Sequence, residues 1–346
     1  MEKTTINDYP TLLEVINNHI KKEIPSLYLE HAPTIASIFG SGADGGFRII
    51  NDEGQPKIIP SGNHKFYYRG QHTYYPTSRP SFYRIKEHEM KVIGLLQCHE
   101  FFNLLRSHPV LNSLENDTTL SFTALAQHYG FPTVMLDITS DIWAAAFFAV
   151  TRRDDKTGLS YPVDENFGDG LGVFYISKPI NENTTEFEKA VHPIGYQFFP
   201  RPHMQKGALY RLSEEENFND CQLFDKVLFR HNKLDSEFIF SMSYEQRKYY
   251  PEDILVDLAS EIREKKSISK KSIEAYLESE NCDCTEDEVN KICIKNNYQI
   301  TDSPIVEFDQ SYLKESIDWW TTIGRNSLIA SIDPFLMMSV KDAKDS

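Results

Sequence analysis

The segment at residues 142–150 constrains the fold of this chain more than any other. It is the longest strongly apolar run in the sequence, IWAAAFFAV, and it is less than half as long as a membrane span of about 20 residues. A helix that is apolar on every side has to be buried on every side. Thr139, Ser140 and Asp141 precede the run, and their side chains are typical helix N-caps. We therefore expect a buried helix over residues 142–150 at the centre of a domain.

Length and composition are typical of a large globular protein. The chain has 346 residues, 40% of them hydrophobic and 25% charged, which excludes a disordered or fibrous protein. The first ten residues, MEKTTINDYP, lack the apolar core of a signal peptide. The odd number of cysteines, five, suits a reducing compartment better than a disulfide framework. We expect a cytoplasmic protein.

The pattern of apolar residues and helix breakers predicts an α+β fold. Helical spacing or the absence of breakers predicts helices at 11–20, 84–106, 122–129, 142–150, 251–264, 273–277 and 289–294. Short β-prone runs predict strands at 65–69, 133–138, 172–176 and 208–212. We expect a small mixed or antiparallel sheet flanked by helices around the buried helix, followed by an α-rich extension.

The same pattern divides the chain into three parts. Residues 1–60 form a helical lead-in that ends in a Gly-rich loop at 40–46, and residues 61–264 form the α+β domain. A change to Lys- and Ser-rich composition marks the start of a helical extension at 265–346.

The charge balance limits the partners of the protein. The chain carries 36 basic and 51 acidic residues, a net charge of −15. A field of that sign repels phosphate backbones and anionic membrane surfaces. We expect neither a broad nucleic-acid surface nor a membrane partner.

Three segments carry a specific pattern: FYYRGQ at 66–71, ALAQHYGFPTVMLDITSDIWAAAFFAV at 124–150, and RPHMQKGALY at 201–210. Together they resemble the FRG domain, a bacterial and phage-associated family, and the resemblance continues to about residue 260. The chain has Val134 and Ile138 where members of that family usually have Arg and Trp. The resemblance implies a setting among toxins and antiphage systems.

The first of these segments contains a candidate anion clamp. Arg69 offers a planar fork of donors to a phosphate or carboxylate, and Gly70 allows the backbone to approach a ligand closely. Gln71 belongs to the same candidate ligand-binding segment, and Arg84 is a second possible fork. The alternative is that these arginines form structural salt bridges with some of the acidic residues.

The middle segment contributes further candidates. Thr139 and Ser140 open the buried helix, whose free N–H groups suit an anion, although both residues could simply cap it. Gln127 and His128 lie near the end of the preceding helix, and the histidine is either a general acid or base or a buried structural residue. Asp137 lies in an apolar run, so we expect it to be buried and hydrogen-bonded.

The order of these residues is also similar to the plan of ADP-ribosyltransferases. In that plan an Arg on a first strand grips the nicotinamide dinucleotide, a Ser/Thr loop supports the nicotinamide ribose, and a late Glu activates the acceptor. Arg69 and Thr139–Ser140 match the first two features, and Gln205 occupies the late position. Glutamine cannot act as a base. The resemblance implies NAD as the cofactor and places Gln205 at the catalytic position. His128, as a possible general acid or base, is the other candidate catalytic residue.

Two functions from different classes follow. The first is a nucleotide-binding, NAD-using effector similar to ADP-ribosyltransferases. The alternative is a non-catalytic sensor or interaction module that binds a phosphate-bearing ligand and a protein partner. A nuclease is disfavoured by the acidic balance and by the absence of a paired-acid metal motif. No metal site is expected, because the thiols of Cys282, Cys284 and Cys293 have no histidine within their segment.

Overall fold

The computed structural model describes residues 5–23, 47–52, 55–60, 66–154, 157–180, 190–280 and 282–331. The predicted Gly-rich loop at 40–46 lies outside these residues. The fold class is α+β, as the sequence predicts. None of the described helices combines the length and the apolar composition needed to cross a membrane.

A six-stranded antiparallel sheet forms the centre of the molecule. From one edge to the other its strands are β10 (Phe224–Arg230), β7 (Leu171–Ser177), β3 (Tyr68–Gln71), β4 (Met135–Thr139), β9 (Gly207–Arg211) and β8 (Val191–Pro193). All four strands expected from the sequence belong to this sheet. β3 and β4 pair only through Tyr68 and Thr139, whereas β4 and β9 pair along their whole length.

Three two-stranded sheets accompany the central one. They are formed by β1 (Phe47–Asp52) with β2 (Gln55–Pro60), β5 (Thr151–Arg153) with β6 (Ser160–Pro162), and β11 (Ser267–Ser269) with β12 (Gln299–Thr301). The first pair falls within the segment that the sequence predicts to be a helical lead-in. A hairpin there was not predicted.

Helices cover the sheet and build the C-terminal part. In chain order they are α1 (Leu12–Glu23), α2 (Ser81–Arg84), α3 (His88–Ser107), α4 (Pro109–Asp117), α5 (Phe122–His128), α6 (Ile142–Val150), α7 (Arg201–Met204), α8 (Lys233–Met242), α9 (Ile254–Glu264), α10 (Lys270–Leu277), α11 (Glu286–Lys295), α12 (Gln310–Trp319) and α13 (Arg325–Ser331). A π-helical turn at Trp320–Gly324 joins the last two. Every helix predicted from the sequence is present. The sequence did not predict α2, α4, α7 or α8, and α12 and α13 lie in the predicted helical extension without having been placed individually.

The apolar helix α6 lies in the core, as expected. Ala144, Ala146 and Phe147 have no exposed surface, and α6 packs against β3, β7 and α8. Its small side chains let it approach β3 closely. An added Cβ at Gly70 would lie 2.0 Å from the carbonyl oxygen of Ala145. The alanines of α6 and the glycine of β3 therefore fit each other.

The segment after residue 265 packs against the rest of the chain through α3. Val92, Ile93 and Leu96 of α3 share one apolar cluster with Ile268 and Tyr276. β11 and α10 thus complete a core that begins in the preceding part of the chain.

Candidate functional site

A cavity of about 860 Å³ lies against β3 and β4. Its size falls in the range of about 300–1,000 Å³ that is typical of small-molecule sites. Most of the residues singled out in the sequence line it: Arg69, Gly70, Gln127, His128, Asp137, Thr139 and Gln205. The tertiary structure therefore brings together residues that lie up to 136 positions apart in the chain.

Arg69 approaches the cavity from between the strands. Tyr68 pairs with Thr139, so Asp137 projects from the same face of the sheet as Tyr68 and Arg69 projects from the other. The Nη1 of Arg69 donates to the main-chain carbonyl of Asp137 at 2.5 Å, and its buried Nε has no acceptor among the described residues. Burial lowers the pKa of Arg69, against the opposing effect of Asp137. The guanidinium of Arg69 is thus bound to the main chain of β4 beside the cavity. Its role as a ligand clamp stays a prediction.

The need for a glycine at position 70 has a different cause from the one expected. The sequence suggests a close approach of the backbone to a ligand. In the structure, the space that a side chain would need is filled by α6, because Ala145 and Ala149 lie within 2.7 Å of an added Cβ. Gly70 allows helix and strand to pack.

A chain of polar groups runs along the cavity wall. The hydroxyl of Thr133 donates to the Gln127 side-chain oxygen, and Gln127 Nε2 donates to Asp137 Oδ2 at 3.0 Å. The other carboxylate oxygen of Asp137, Oδ1, is buried and has no partner among the described residues. Asp137 is hydrogen-bonded, as expected, but 43% of its side chain is exposed. The expectation of a buried Asp137 is wrong, because the carboxylate faces the cavity.

His128 is held in the wall with its ring almost wholly buried. Its Nε2 lies 4.0 Å from Asp137 Oδ1, and 4% of the side chain is exposed. Burial lowers the pKa of His128, and the nearby Asp137 opposes this shift. The imidazole is therefore neutral at pH 7. A neutral ring near a carboxylate is compatible with both interpretations of this residue, the proton carrier and the structural histidine.

The start of α6 does not offer a free anion site. Asp141 is the N-cap, and its Oδ1 accepts from the main-chain N–H groups of Trp143 and Ala144 at 2.9 and 3.4 Å. A carboxylate thus already occupies the positive end of the helix. Thr139 supports this turn, because its hydroxyl donates to the carbonyl of Gln205 and accepts from Asp141 N–H. The expectation of an anion site at the α6 N-terminus is wrong for this reason.

Gln205 is buried at the junction of α7 and β9. Its Nε2 donates to the carbonyl of Tyr249 at 2.8 Å. The amide nitrogen therefore positions the chain around Tyr249.

Three predicted residues lie outside the cavity lining. Ser140 turns toward Lys206, whose carbonyl accepts from the Ser140 N–H at 3.2 Å and from its hydroxyl at 3.5 Å. Gln71 lies at the far end of β3. Arg84 ends α2, and its charge contributes to the lowered pKa of Arg69. Of the two candidate anion-binding residues Arg69 and Ser140, only Arg69 therefore lines the cavity.

The sequence analysis missed three arginines that complete the wall: Arg153, Arg201 and Arg263. With Arg69, four arginines line the cavity beside the acidic Asp137, Asp257 and Glu264. The cavity thus has a basic excess in a chain whose net charge is −15. Arg201 begins one of the segments that carry the family resemblance, and that position was the available signal.

Arg153 and Arg201 stack on one tyrosine. Their guanidinium carbons lie 3.9 and 5.3 Å from the centre of the Tyr250 ring. Arg201 is only 6% exposed, and its Nε and the Nη1 of Arg153 are buried without an acceptor in the described part of the chain. No carboxylate of the described residues forms an ion pair with either arginine. Burial lowers the pKa of Arg201, and the charge of Arg153 adds to this effect.

The wall therefore presents two kinds of unsatisfied group. The buried N–H groups of Arg153 and Arg201 require acceptors, and the Asp137 Oδ1 requires a donor. Buried polar atoms without partners are costly, so a ligand that supplies both kinds of partner would bind with a gain in free energy.

Comparison with known proteins identifies one family. Residues 64–158 match the family model of the FRG domain. No curated protein and no solved structure matches the chain. The matched residues include β3, β4, α5, α6 and Arg153, whereas Arg201, Gln205 and Tyr250 lie beyond them. The chain thus contains an FRG domain at residues 64–158, and later segments close the cavity beside it.

Proposed function

We propose that the cavity binds a phosphate-bearing nucleotide, with NAD as the leading candidate. The observation that carries this proposal is the pair Arg153 and Arg201, two guanidinium groups that form no ion pair with the described residues and that each have one buried nitrogen without an acceptor, in an acidic chain. Arginine donors match phosphate oxygens in geometry and charge.

The rest of the wall suits the other parts of a nucleotide. Asp137 Oδ1 is an acceptor that a ribose hydroxyl can satisfy. Phe148 adds an aromatic ring to the lining, against which a base can pack. Phosphate and ribose thus meet groups of opposite hydrogen-bonding character on one wall.

If NAD is the ligand, the chemistry proposed is transfer of ADP-ribose. The bond between nicotinamide and ribose breaks, its electron pair leaves with nicotinamide, and an acceptor attacks the ribose carbon. A carboxylate stabilises the positive charge that develops on the ribose. Asp137 supplies such a carboxylate on β4, in the cavity that Gln205, which lacks one, also lines. This effector activity would belong to the toxin or antiphage setting implied by the FRG resemblance and would act in the cytoplasm.

The second candidate is the sensor, which binds the nucleotide without cleaving it and signals to a protein partner. The commitment of the Gln205 amide to Tyr249 favours this function, because that contact is structural. Both candidates share the binding step, and turnover distinguishes them.

Calorimetric titration tests the binding step. NAD, ADP-ribose, ADP, adenosine and inorganic pyrophosphate are compared on the parent, on Arg153→Gln and on Arg201→Gln. We expect binding of the phosphate-bearing ligands and at least a tenfold loss of affinity in both variants. Arg152→Gln is the matched control, since Arg152 is exposed and does not line the cavity.

Nicotinamide release from NAD, measured with cell extract as a source of acceptor, separates the two candidates. Nicotinamide release by the parent that is lost in the Asp137→Asn variant supports the transferase. Binding without release supports the sensor. Absence of binding by every phosphate-bearing ligand would overturn the proposed function.

A further inference from the structure

The start of α3 and the turn before α11 bring together a histidine, a carboxylate and a thiol. His88 Nε2 lies 3.5 Å from the Sγ of Cys284, and Cys284 Sγ lies 3.4 Å from Asp283 Oδ1. The second ring nitrogen of His88 lies 3.7 Å from Asp283 Oδ2. One ligand atom from each of the three residues falls within a group in which all separations are at most 4.8 Å.

Two of these separations, those from Cys284 Sγ to His88 Nε2 and to Asp283 Oδ1, match the edges of a metal coordination tetrahedron. Zinc binds sulfur at about 2.3 Å and histidine nitrogen or carboxylate oxygen at about 2.0–2.2 Å. At the tetrahedral angle, a sulfur atom and a nitrogen or oxygen atom at those distances from the metal are about 3.6 Å apart. The sulfur–nitrogen and sulfur–oxygen distances differ from this value by at most 0.2 Å.

The residue types are also those of a zinc site. Cysteine, histidine and aspartate are the usual protein ligands of zinc, and sulfur with imidazole disfavours magnesium and calcium. The Tyr276 hydroxyl donates to Asp283 Oδ1 at 3.3 Å, and a hydrogen bond of this kind orients a ligating carboxylate. In the sequence, no histidine lies near Cys284. The fold supplies one from a position 196 residues earlier.

We propose that His88, Asp283 and Cys284 bind a divalent transition-metal ion of the zinc class. Water fills the fourth position, because His88 and Asp283 are exposed. The ion links α3 to the segment before α11, beside the ion pair of Lys295 with Glu89. It therefore fastens the C-terminal extension to the FRG-containing part of the chain.

Metal titration of the full chain tests the site. The protein is stripped with a chelator under reducing conditions and titrated with zinc, then with cobalt. We expect one equivalent of zinc bound at micromolar or lower concentration, a cobalt spectrum with a thiolate charge-transfer band, and a raised melting temperature.

Variants separate this site from other thiols and histidines. His88→Ala and Cys284→Ser should weaken zinc binding at least tenfold and abolish the thiolate band. Both residues lie at or near the surface, so the variants are expected to fold. Cys221→Ser is the matched control, because that half-buried thiol lies elsewhere and should leave binding unchanged. Equal zinc affinity in the parent and in Cys284→Ser, or no binding below about 100 µM, a range too weak for a structural zinc site, would overturn the proposal.

Discussion

At the scale of single residues, the cavity wall is defined by polar atoms that the chain leaves without partners. Arg153, Arg201 and Asp137 each have one. None of these atoms can be identified from composition, because the three-dimensional structure decides whether a polar atom has a hydrogen-bond partner. Asp137 shows this clearly. The sequence predicts its hydrogen bond, but its position on the cavity and its contact with Gln127 depend on how β4 and α5 meet.

Replacement of Asp137 by alanine should destabilise the fold modestly. The change removes the acceptor of Gln127 Nε2, and an unsatisfied donor costs about 1–3 kcal/mol when buried. Because the carboxylate is 43% exposed, we expect the lower end of that range, about 1 kcal/mol. Urea unfolding measures the difference. Asp225→Ala, which removes an exposed ion pair with Lys178, should cost less, and equal losses would contradict the assignment.

His108 should make stability depend on pH. Its ring has no exposed surface and lies among Phe198, Phe199 and Phe308, and burial lowers its pKa to about 4. Between about pH 6.5 and this value the unfolded chain binds a proton that the folded chain does not. Stability is therefore lost as the pH falls through that window, with a slope of up to about 1.4 kcal/mol per pH unit from this group.

His108→Leu tests this dependence. The substitution keeps an apolar side chain of similar size and removes the titrating group. Urea unfolding between pH 8 and pH 4 should show a shallower loss of stability in the variant than in the parent. Parallel curves would show that His108 contributes nothing to the pH dependence.

At the scale of elements, the contact between α6 and β3 sets the geometry of the site. Gly70 lies beneath Ala145 and Ala149, so the helix lies on the strand without an intervening side chain. Asp141 caps the N-terminus of the helix. The helix thereby fixes Thr139 and β4, and through them the position of Asp137.

Gly70→Ala should therefore be severely destabilising. Its Cβ would lie 2.0 Å from a main-chain oxygen that cannot move without the helix. Overpacking of a core costs about 1–3 kcal/mol and sometimes more, and we expect at least the upper value here. Gly168→Ala is the control, since its Cβ meets nothing within 4 Å and only its left-handed backbone, φ +60°, opposes the change at about 1–2 kcal/mol. Thermal unfolding of both variants provides the comparison. A smaller loss at Gly70 than at Gly168 would contradict the packing argument.

At the scale of the whole molecule, the C-terminal extension shares a core with the part that contains the FRG domain. Val289 of α11 is fully buried in the cluster that also holds Val92 and Ile93 of α3. The boundary predicted at residue 265 marks a change of composition. The division of the chain at that residue stays a prediction.

Val289→Asp should lower the melting temperature of the whole chain in calorimetry, because a buried charge costs several kcal/mol and the core is shared. Ile294→Asp, on the same helix but 70% exposed, should change it little. We expect one transition in each protein. A separate low-temperature transition that moves alone in Val289→Asp would show that the extension unfolds as an independent unit.

The sequence by itself determined the fold class, the four inner strands and the buried helix, because apolar periodicity and helix breakers act over a few residues. Most of the candidate residues that it singled out also line the cavity. The sequence did not place α2, α4, α7, α8, α12 or α13. Of these, α8 has the apolar stretch FIF without helical spacing, and α12 is mostly polar. Only the tertiary structure decided that Asp141 caps α6, that Gly70 serves packing, and that Arg153 and Arg201 meet at Tyr250. The last two outcomes depend on contacts between residues far apart in the chain, and such contacts leave no periodic trace in the sequence.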